Sequence, residues 1–572
     1  MASASMPDIP RVTSEQFVAC LDAGFNEFAQ AFARGEYVLW LGSGLSREVV
    51  PDVTALLEKV LAHLQERASD DEGCPFSRAL NEILEMASLS TEQRAAIDLS
   101  AGVASWTGLK DLIASLVPKY STVLDVVVDG EERDYLVWEG VDVAGTYGDE
   151  NMVPDVEHLC VAILMLEGVV RSAPTTNWDN LVELAVGRLS EQQNVLRVVV
   201  HQGDFLEAGA RADLIKFHGC AARAKAEPEN YRALLVARRT QISGWTALAA
   251  NKIIKDHLEH LVATRPALVV GLSAQDANIH TILQEARESL KRPWPDSPPG
   301  VEFALQQLGP DQTHVLEITY GDDYFPNRDE ITSQALLGGY ARPVLLGLVL
   351  FTLSEKLCSL IEAVVDFDGT GVARLREGVV YLRNQVSKEE GDPQVFVEQL
   401  ISATRSFLTM FRTGLPPEAS ANAYVPLSAQ PIPELVADPN IRSEVLGAMA
   451  VSLSLLGRGC AVGDWELTAG PGGSGDATMA TVIGASATSQ VFVAESTAVV
   501  STLVAEGHVD VMDPDVLVLQ AADPAPRAVR SPRLRLGRNG HSGSREVSVA
   551  SLIRDAEDAD ELFELFRLEA GI

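Results

Sequence analysis

The sequence predicts an α/β protein built on a doubly wound parallel sheet, followed by a helical segment and a C-terminal mixed α/β domain. Three observations carry that expectation. Short apolar runs alternate with helical stretches between residues 37 and 320, the pattern of a parallel sheet with helices on both faces. The run "YVLWLGSGLS" (37–46) is an apolar strand entering a glycine turn. Past residue 330 the texture changes to long helical patterns, and past 440 it is mixed again.

Taken in chain order, residues 13–35 read as a helix and Tyr37–Leu41 as a buried strand. Apolar residues at 53, 56, 57, 60, 61 and 64 give the next helix one apolar face. Residues 70–150, with the acidic stretch "DVVVDGEERDYLVWEGVDVAGTYGDE", read as an insertion or cap over the core. Helices at 155–168 and 180–189 flank the turn "TTNWD". "NVLRVVV" (194–200) is a strand, and "ADLIKFHG" (212–219) is a short strand ending in His218. Helical residues 245–263 lead to the strand "ALVVGLS" (267–273), a helix starts near Ala277, and "HVLEITY" (314–320) is read as the last strand. "KRPWPDSPPG" (291–300) is a turn-rich surface connection.

This organisation divides the chain into a nucleotide-binding domain (1–330), a helical assembly region (331–413), a linker (414–438) and a C-terminal sensing or partner-binding domain (439–572). Strands in the last domain are expected near 489–494 and 515–519, and an acidic helix closes it. "TAGPGGSGD" (468–476) reads as a Gly/Ser linker in preference to a nucleotide loop.

Composition bounds the function. With 572 residues, two to four domains are expected. Hydrophobic residues make up 47% and charged ones 22%, as in a globular chain. A net charge of −35 argues against a broad nucleic-acid surface, although "RAVRSPRLRLGR" (527–538) is locally basic. Six cysteines (20, 74, 160, 220, 358, 460) include no C-x-x-C pair, which argues against a zinc ribbon or a disulfide framework. "MASASMPDIPRV" lacks a signal-peptide pattern. The apolar run Pro343–Leu353 falls short of the ~20 residues that span a bilayer. A cytoplasmic protein without membrane association is expected.

Four segments carry chemistry. In "WLGSGLS" (40–46), Gly42 and Gly44 let the backbone turn sharply, and amides of such a turn can point at a phosphate. Arg47 stands where a dinucleotide fingerprint has its third glycine, and a plain strand-to-helix turn looks the same. In "TTNWD", Asn177 can bind a ribose hydroxyl or a water, while Asp179 can accept a second hydroxyl or cap the next helix. In "IKFHGC", His218 ends a strand, where open α/β sheets place their ligands, and histidine titrates near neutrality. In "VVGLSAQDANI" (269–279), small Gly271 and Ser273 admit a ligand, and Asp276 caps a helix or anchors the loop.

The order "GSGLS…TTNWD…KFHG…VVGLSAQD" resembles the sirtuin-like superfamily over about residues 30–325, closest to bacterial sirtuin-like effectors that hydrolyse NAD+ in antiphage defence. The resemblance implies a Rossmann-like sirtuin core with Asn177, His218 and Asp179 catalytic. It implies that Gly42, Ser43, Gly44, Ser46, Thr176, Gly271, Ser273 and Asp276 hold NAD+, which is the substrate, and that no metal is needed. Two departures bear on the reaction. Deacetylating sirtuins carry a four-cysteine zinc module soon after the His-Gly pair, whereas residues 220–240 here supply Cys220 alone. They also carry Pro-Asp-Phe-Arg, of which this chain keeps Pro51 and Asp52.

Hydrolysis of NAD+ to nicotinamide and ADP-ribose is therefore expected. The alternatives are a non-catalytic NAD+- or ADP-ribose-binding module and an NAD-dependent deacylase or ADP-ribosyltransferase. By the same resemblance, residues 330–572 would regulate the enzyme through a homo-oligomer or a HerA-type ATPase partner. The acidity counts against a short Argonaute partner, and no direct nucleic-acid contact is expected.

Overall fold

A strand covered on both faces must be apolar on both, and the first strand is: Val38, Leu39, Trp40 and Leu41 are all buried. In the computed structural model it is the centre of a six-stranded, all-parallel sheet. The strands are β1 (Val38–Leu41), β2 (Ser172–Thr175), β3 (Leu196–Val199), β4 (Ala212–Lys216), β5 (Ala267–Val270) and β6 (Val301–Phe303), in the order β3-β4-β2-β1-β5-β6. The chain winds from β1 towards β3 and β4, then crosses to β5 and β6, so the winding reverses beside β1. The structure describes residues 12–71, 73–192, 194–296, 299–388, 391–417, 423–470, 478–484, 488–523 and 543–572. The basic stretch 527–538 and residues 471–476 of the Gly/Ser stretch lie outside them.

A second sheet of β7 (Trp465–Ala469), β8 (Ala480–Gly484), β9 (Thr488–Ala494), β10 (Val516–Gln520) and β11 (Arg545–Ser548) has the order β11-β10-β9-β8-β7. β7, β8 and β9 pair antiparallel, whereas β9, β10 and β11 are parallel. The fold is thus a Rossmann-like α/β core with a separate mixed sheet near the C-terminus. The strands expected near 489–494 and 515–519 are β9 and β10.

Four local expectations need correction. Residues 314–320 belong to the helix Pro310–Tyr320, and the last parallel strand is Val301–Phe303. The helix expected over 13–35 is two, Ser14–Leu21 and Asn26–Ala33. The stretch 245–263 begins as short 3₁₀ turns and becomes the helix Lys252–Thr264. The apolar run at 343–353 is part of a 22-residue helix, Ala341–Glu362, which with Ser443–Val462 is long and apolar enough to cross a membrane. The most apolar stretches of these helices are 83% and 67% buried inside the protein.

Ala341–Glu362 runs through two cores. Val344, Leu345, Leu348, Val349 and Phe351 in its first half pack with Leu39, Leu41 and the helix Val156–Leu166. Cys358, Leu360 and Ile361 in its second half pack with Val491, Leu517 and Phe566 of the C-terminal sheet region. Residues 423–430 lie against the same junction. Tyr424 donates from Oη to Glu167 Oε1 at 2.7 Å, and buried Lys356 Nζ lies 2.5 Å from Glu167 Oε2 and donates to Ser428 O at 2.8 Å. Gly168 is left-handed (φ +75°), and a side chain there would collide with the Ala429 carbonyl.

Residues 70–150 are a helical layer. Leu80, Ile83, Leu112, Ile113, Val123 and Leu136 share a core with Leu57, Leu61 and Leu64 of the helix Val53–Arg67. Tyr120 packs against both this core and the one beneath the parallel sheet.

Candidate functional site

Because β1, β2, β4 and β5 are parallel neighbours, the loops that follow them leave the same sheet edge. Their contacts run from loop to loop. Gly44 N–H donates to Gly271 O at 2.9 Å, and a Cβ on Gly44 would lie 2.8 Å from that oxygen. Gly271 itself is left-handed at φ +69°. The glycines are therefore needed for one loop to press on another. The amides of Gly44, Leu45 and Ser46 donate to Gly271, Gly42 and Ser43 carbonyls, so they do not point at an anion as the sequence suggested. Ser43 is exposed beside them.

Asn177 is buried at the end of β2, 8% exposed. Its backbone N–H donates to Thr175 Oγ1 at 3.0 Å, and its Nδ2 donates to Ser46 Oγ at 3.2 Å. Ser46 Oγ is 3.0 Å from His158 Nε2, and His158 Nδ1 is 2.5 Å from Asp155 Oδ1. One directional chain satisfies these contacts: Asn177 amide to Ser46, Ser46 hydroxyl to His158, His158 Nδ1–H to the Asp155 carboxylate. Burial raises the Asp155 carboxyl, but hydrogen bonds from the ring and backbone of His158, with the Arg342 charge, outweigh it and hold it below its usual range. The chain fixes the Asn177 amide nitrogen and leaves Oδ1 buried with no hydrogen-bond partner among the described residues.

His218 follows β4 and is 3% exposed. Its Nε2 accepts from Asn278 Nδ2 at 2.8 Å, which places the ring proton on Nδ1, 3.9 Å from Asp276 Oδ2. Burial lowers the His218 pKa, against the opposing pull of Asp276 and Asn278, so the neutral ring is favoured. Asp276 is the cap residue of the helix Ala277–Ser289 but makes no side-chain cap bond. Instead its Oδ1 accepts from Tyr120 Oη at 2.8 Å, tying the helical layer to the site. Asn278 Oδ1 is a second buried acceptor without a partner among the described residues.

The remaining expected residues take other places. Asp179 Oδ1 accepts from Leu181 N–H at 3.2 Å, at the start of the helix Leu181–Leu189, whose cap residue is Asn180. Thr176 is half-buried and its N–H donates to Leu41 O at 3.4 Å. Ser273 is exposed, and its carbonyl accepts from Gln312 Nε2 at 2.9 Å. Behind the turn, the fully buried Lys216 ammonium binds the Asp179 carbonyl and lies 2.8 Å from Glu183 Oε1. Burial opposes that charge, but Cys220, Glu183 and Asp179 outweigh it and raise the pKa.

Sequence reasoning missed His158, Asp155, Asn278, Lys216 and Tyr120. A signal existed for the first two: "DVEHL" pairs a helix-capping Asp with a His three residues on, in a helix otherwise nearly all apolar. A groove of about 690 Å³, lined by Glu82, Thr122, Asp125, Arg239, Thr240 and Ser243 among others, lies beside the helical layer and includes none of the expected residues.

Residues 171–321 match the family model for a SIR2-like domain, a span that holds Asn177, His218, Gly271, Ser273, Asp276 and Asn278. None of the curated proteins matches the sequence significantly.

Proposed function

We propose, with similarity to a SIR2-like domain as the premise, that the chain is an NAD+ glycohydrolase that releases nicotinamide and ADP-ribose. The similarity supports NAD-related chemistry. The observation that carries the finer reading is a pair of buried acceptors without partners among the described residues, Asn177 Oδ1 on the loop after β2 and Asn278 Oδ1 in the first turn of the helix Ala277–Ser289, at the edge where neutral His218 sits. Buried acceptors are costly unless a donor meets them, and ribose hydroxyls and water are donors.

Nicotinamide leaves readily because its pyridinium nitrogen becomes neutral as the bond breaks. The protein has to orient the ribose and a water and take up one proton. Asn177 Oδ1 accepts from a ribose hydroxyl or the water while its nitrogen stays on Ser46. Water oxygen bonds to the anomeric carbon, the N-glycosidic electron pair departs with nicotinamide, and the water proton passes to His218 Nε2. That lone pair is held by Asn278, whose amide must give way to the water. With the amides of 44–46 engaged, contact with the pyrophosphate falls to exposed Ser43.

The same closure favours one competing reading, a module that holds NAD+ or ADP-ribose without turnover: His218 is 3% exposed and its basic nitrogen is occupied. In the hydrolase reading the closed site is the resting state of an enzyme that depletes NAD+ in antiphage defence. Its release in the cytoplasm would come from homo-oligomerisation or a HerA-type ATPase partner. Incubation of pure protein with NAD+, with and without an acetyl-lysine peptide and phage lysate, tests the proposal. ADP-ribose formed without the peptide supports it. Binding without turnover under all conditions, or turnover only with the peptide, overturns it.

A further inference from the structure

We infer that Arg342 is a positioning residue for Asn177, supplied from outside the segment that resembles a SIR2-like domain. This rests on the proposed hydrolysis. Arg342 stands in the first turn of the helix Ala341–Glu362 and pairs with two carboxylates, Glu157 beside the hydrogen-bond chain and Glu48 on an exposed loop. Its Nε is 3.0 Å from Glu157 Oε1 and its Nη2 3.3 Å from Glu157 Oε2, a forked pair, and Nη2 is also 2.7 Å from Glu48 Oε2.

Glu157 sits between Asp155 and His158 in the first turn of the helix Val156–Leu166, the turn that carries the hydrogen-bond chain to Ser46 and Asn177. Two carboxylates in one buried turn repel. Burial and Asp155 raise the Glu157 carboxyl above its usual range, and the Arg342 charge and hydrogen bond offset only part of that rise. The Arg342 fork holds the Glu157 side chain and with it the turn, and the seating of the long helix is transmitted to the Asn177 amide. Lysine cannot reproduce the fork, and Glu48, exposed on its own loop, lies outside the chain from Glu157 to Asn177.

The test compares the full chain with Arg342→Met, Arg342→Lys, Arg342→Met/Glu157→Gln and Glu48→Gln, using NAD+ kinetics and ring signals of ¹⁵N-histidine-labelled protein. Arg342→Met is expected to lower kcat about tenfold with KM unchanged, because misorientation is felt in the transition state. Adding Glu157→Gln should restore most of kcat and return the His158 signal, which the single substitution shifts; Glu48→Gln should leave both unchanged. If Arg342→Met does not fold, Arg342→Lys decides, with a smaller fall in kcat expected. A folded Arg342 variant with wild-type kcat, or a loss that Glu157→Gln does not rescue, overturns the inference. Should wild-type protein show no NAD+ cleavage with or without phage lysate, the hydrolase reading fails separately. The His158 signal then decides the positioning role, a shift with rescue supporting it and an unmoved signal overturning it.

Discussion

Asn177 commits its nitrogen to Ser46 and leaves its oxygen without a partner, whereas His218 has its basic nitrogen engaged and its protonated nitrogen near Asp276. Asn177→Ala and His218→Ala should each cut NAD+ turnover at least ~10²-fold with the circular-dichroism spectrum unchanged. A base must be neutral to act, and burial places the folded His218 pKa below its ordinary 6.5. The kcat/KM profile should therefore be flat at neutrality and fall on the acid side with its midpoint below pH 6.5. The same shift has a stability sign: the unfolded chain binds the proton more tightly, so this contribution is complete above pH 6.5 and declines as pH falls through the folded pKa. Tyr120→Phe removes a donor from Asp276, leaves the negative charge of that carboxylate less compensated beside the His218 ring, and should move the acid limb upward. Asn177 and His218 were legible because their residue types sit at strand ends. The histidine that orients Asn177 was not, because a polar residue in a largely apolar helix becomes meaningful only when the facing serine is known.

Among the elements, β1, β3, β4, β5, β9 and β10 were readable from their apolar runs, whereas β6, β7, β8 and β11 were not. β6 is three residues long and carries Glu302, which reads as a loop. In the fold Tyr37 Oη donates to that carboxyl at 2.8 Å, and complete burial raises its pKa and favours the neutral form. "HVLEITY" misled by its β-branched residues, although Pro310 at the start of the segment suits the first turn of a helix. The junction of Glu167, Lys356 and Tyr424 was illegible because its members are up to 257 residues apart. Lys356→Met should lower unfolding free energy by about 3–5 kcal/mol in urea titration, because it leaves Glu167 buried and unpaired. The double variant with Glu167→Gln should recover part of that loss.

At the scale of the whole molecule, the change of texture past residue 330 says nothing of how closely the regions on either side pack. The core around Leu39 and Leu41 includes Val344, Leu345 and Phe351. A chain stopped after residue 330 should therefore aggregate on expression or be cleaved rapidly by trypsin, while the full chain resists at the same protease ratio. The helix Ala341–Glu362 also enters the core of the C-terminal sheet, so heat should not melt one region and spare the other. Scanning calorimetry is expected to record a single endotherm for 61.5 kDa of polypeptide, with calorimetric and van't Hoff enthalpies in agreement.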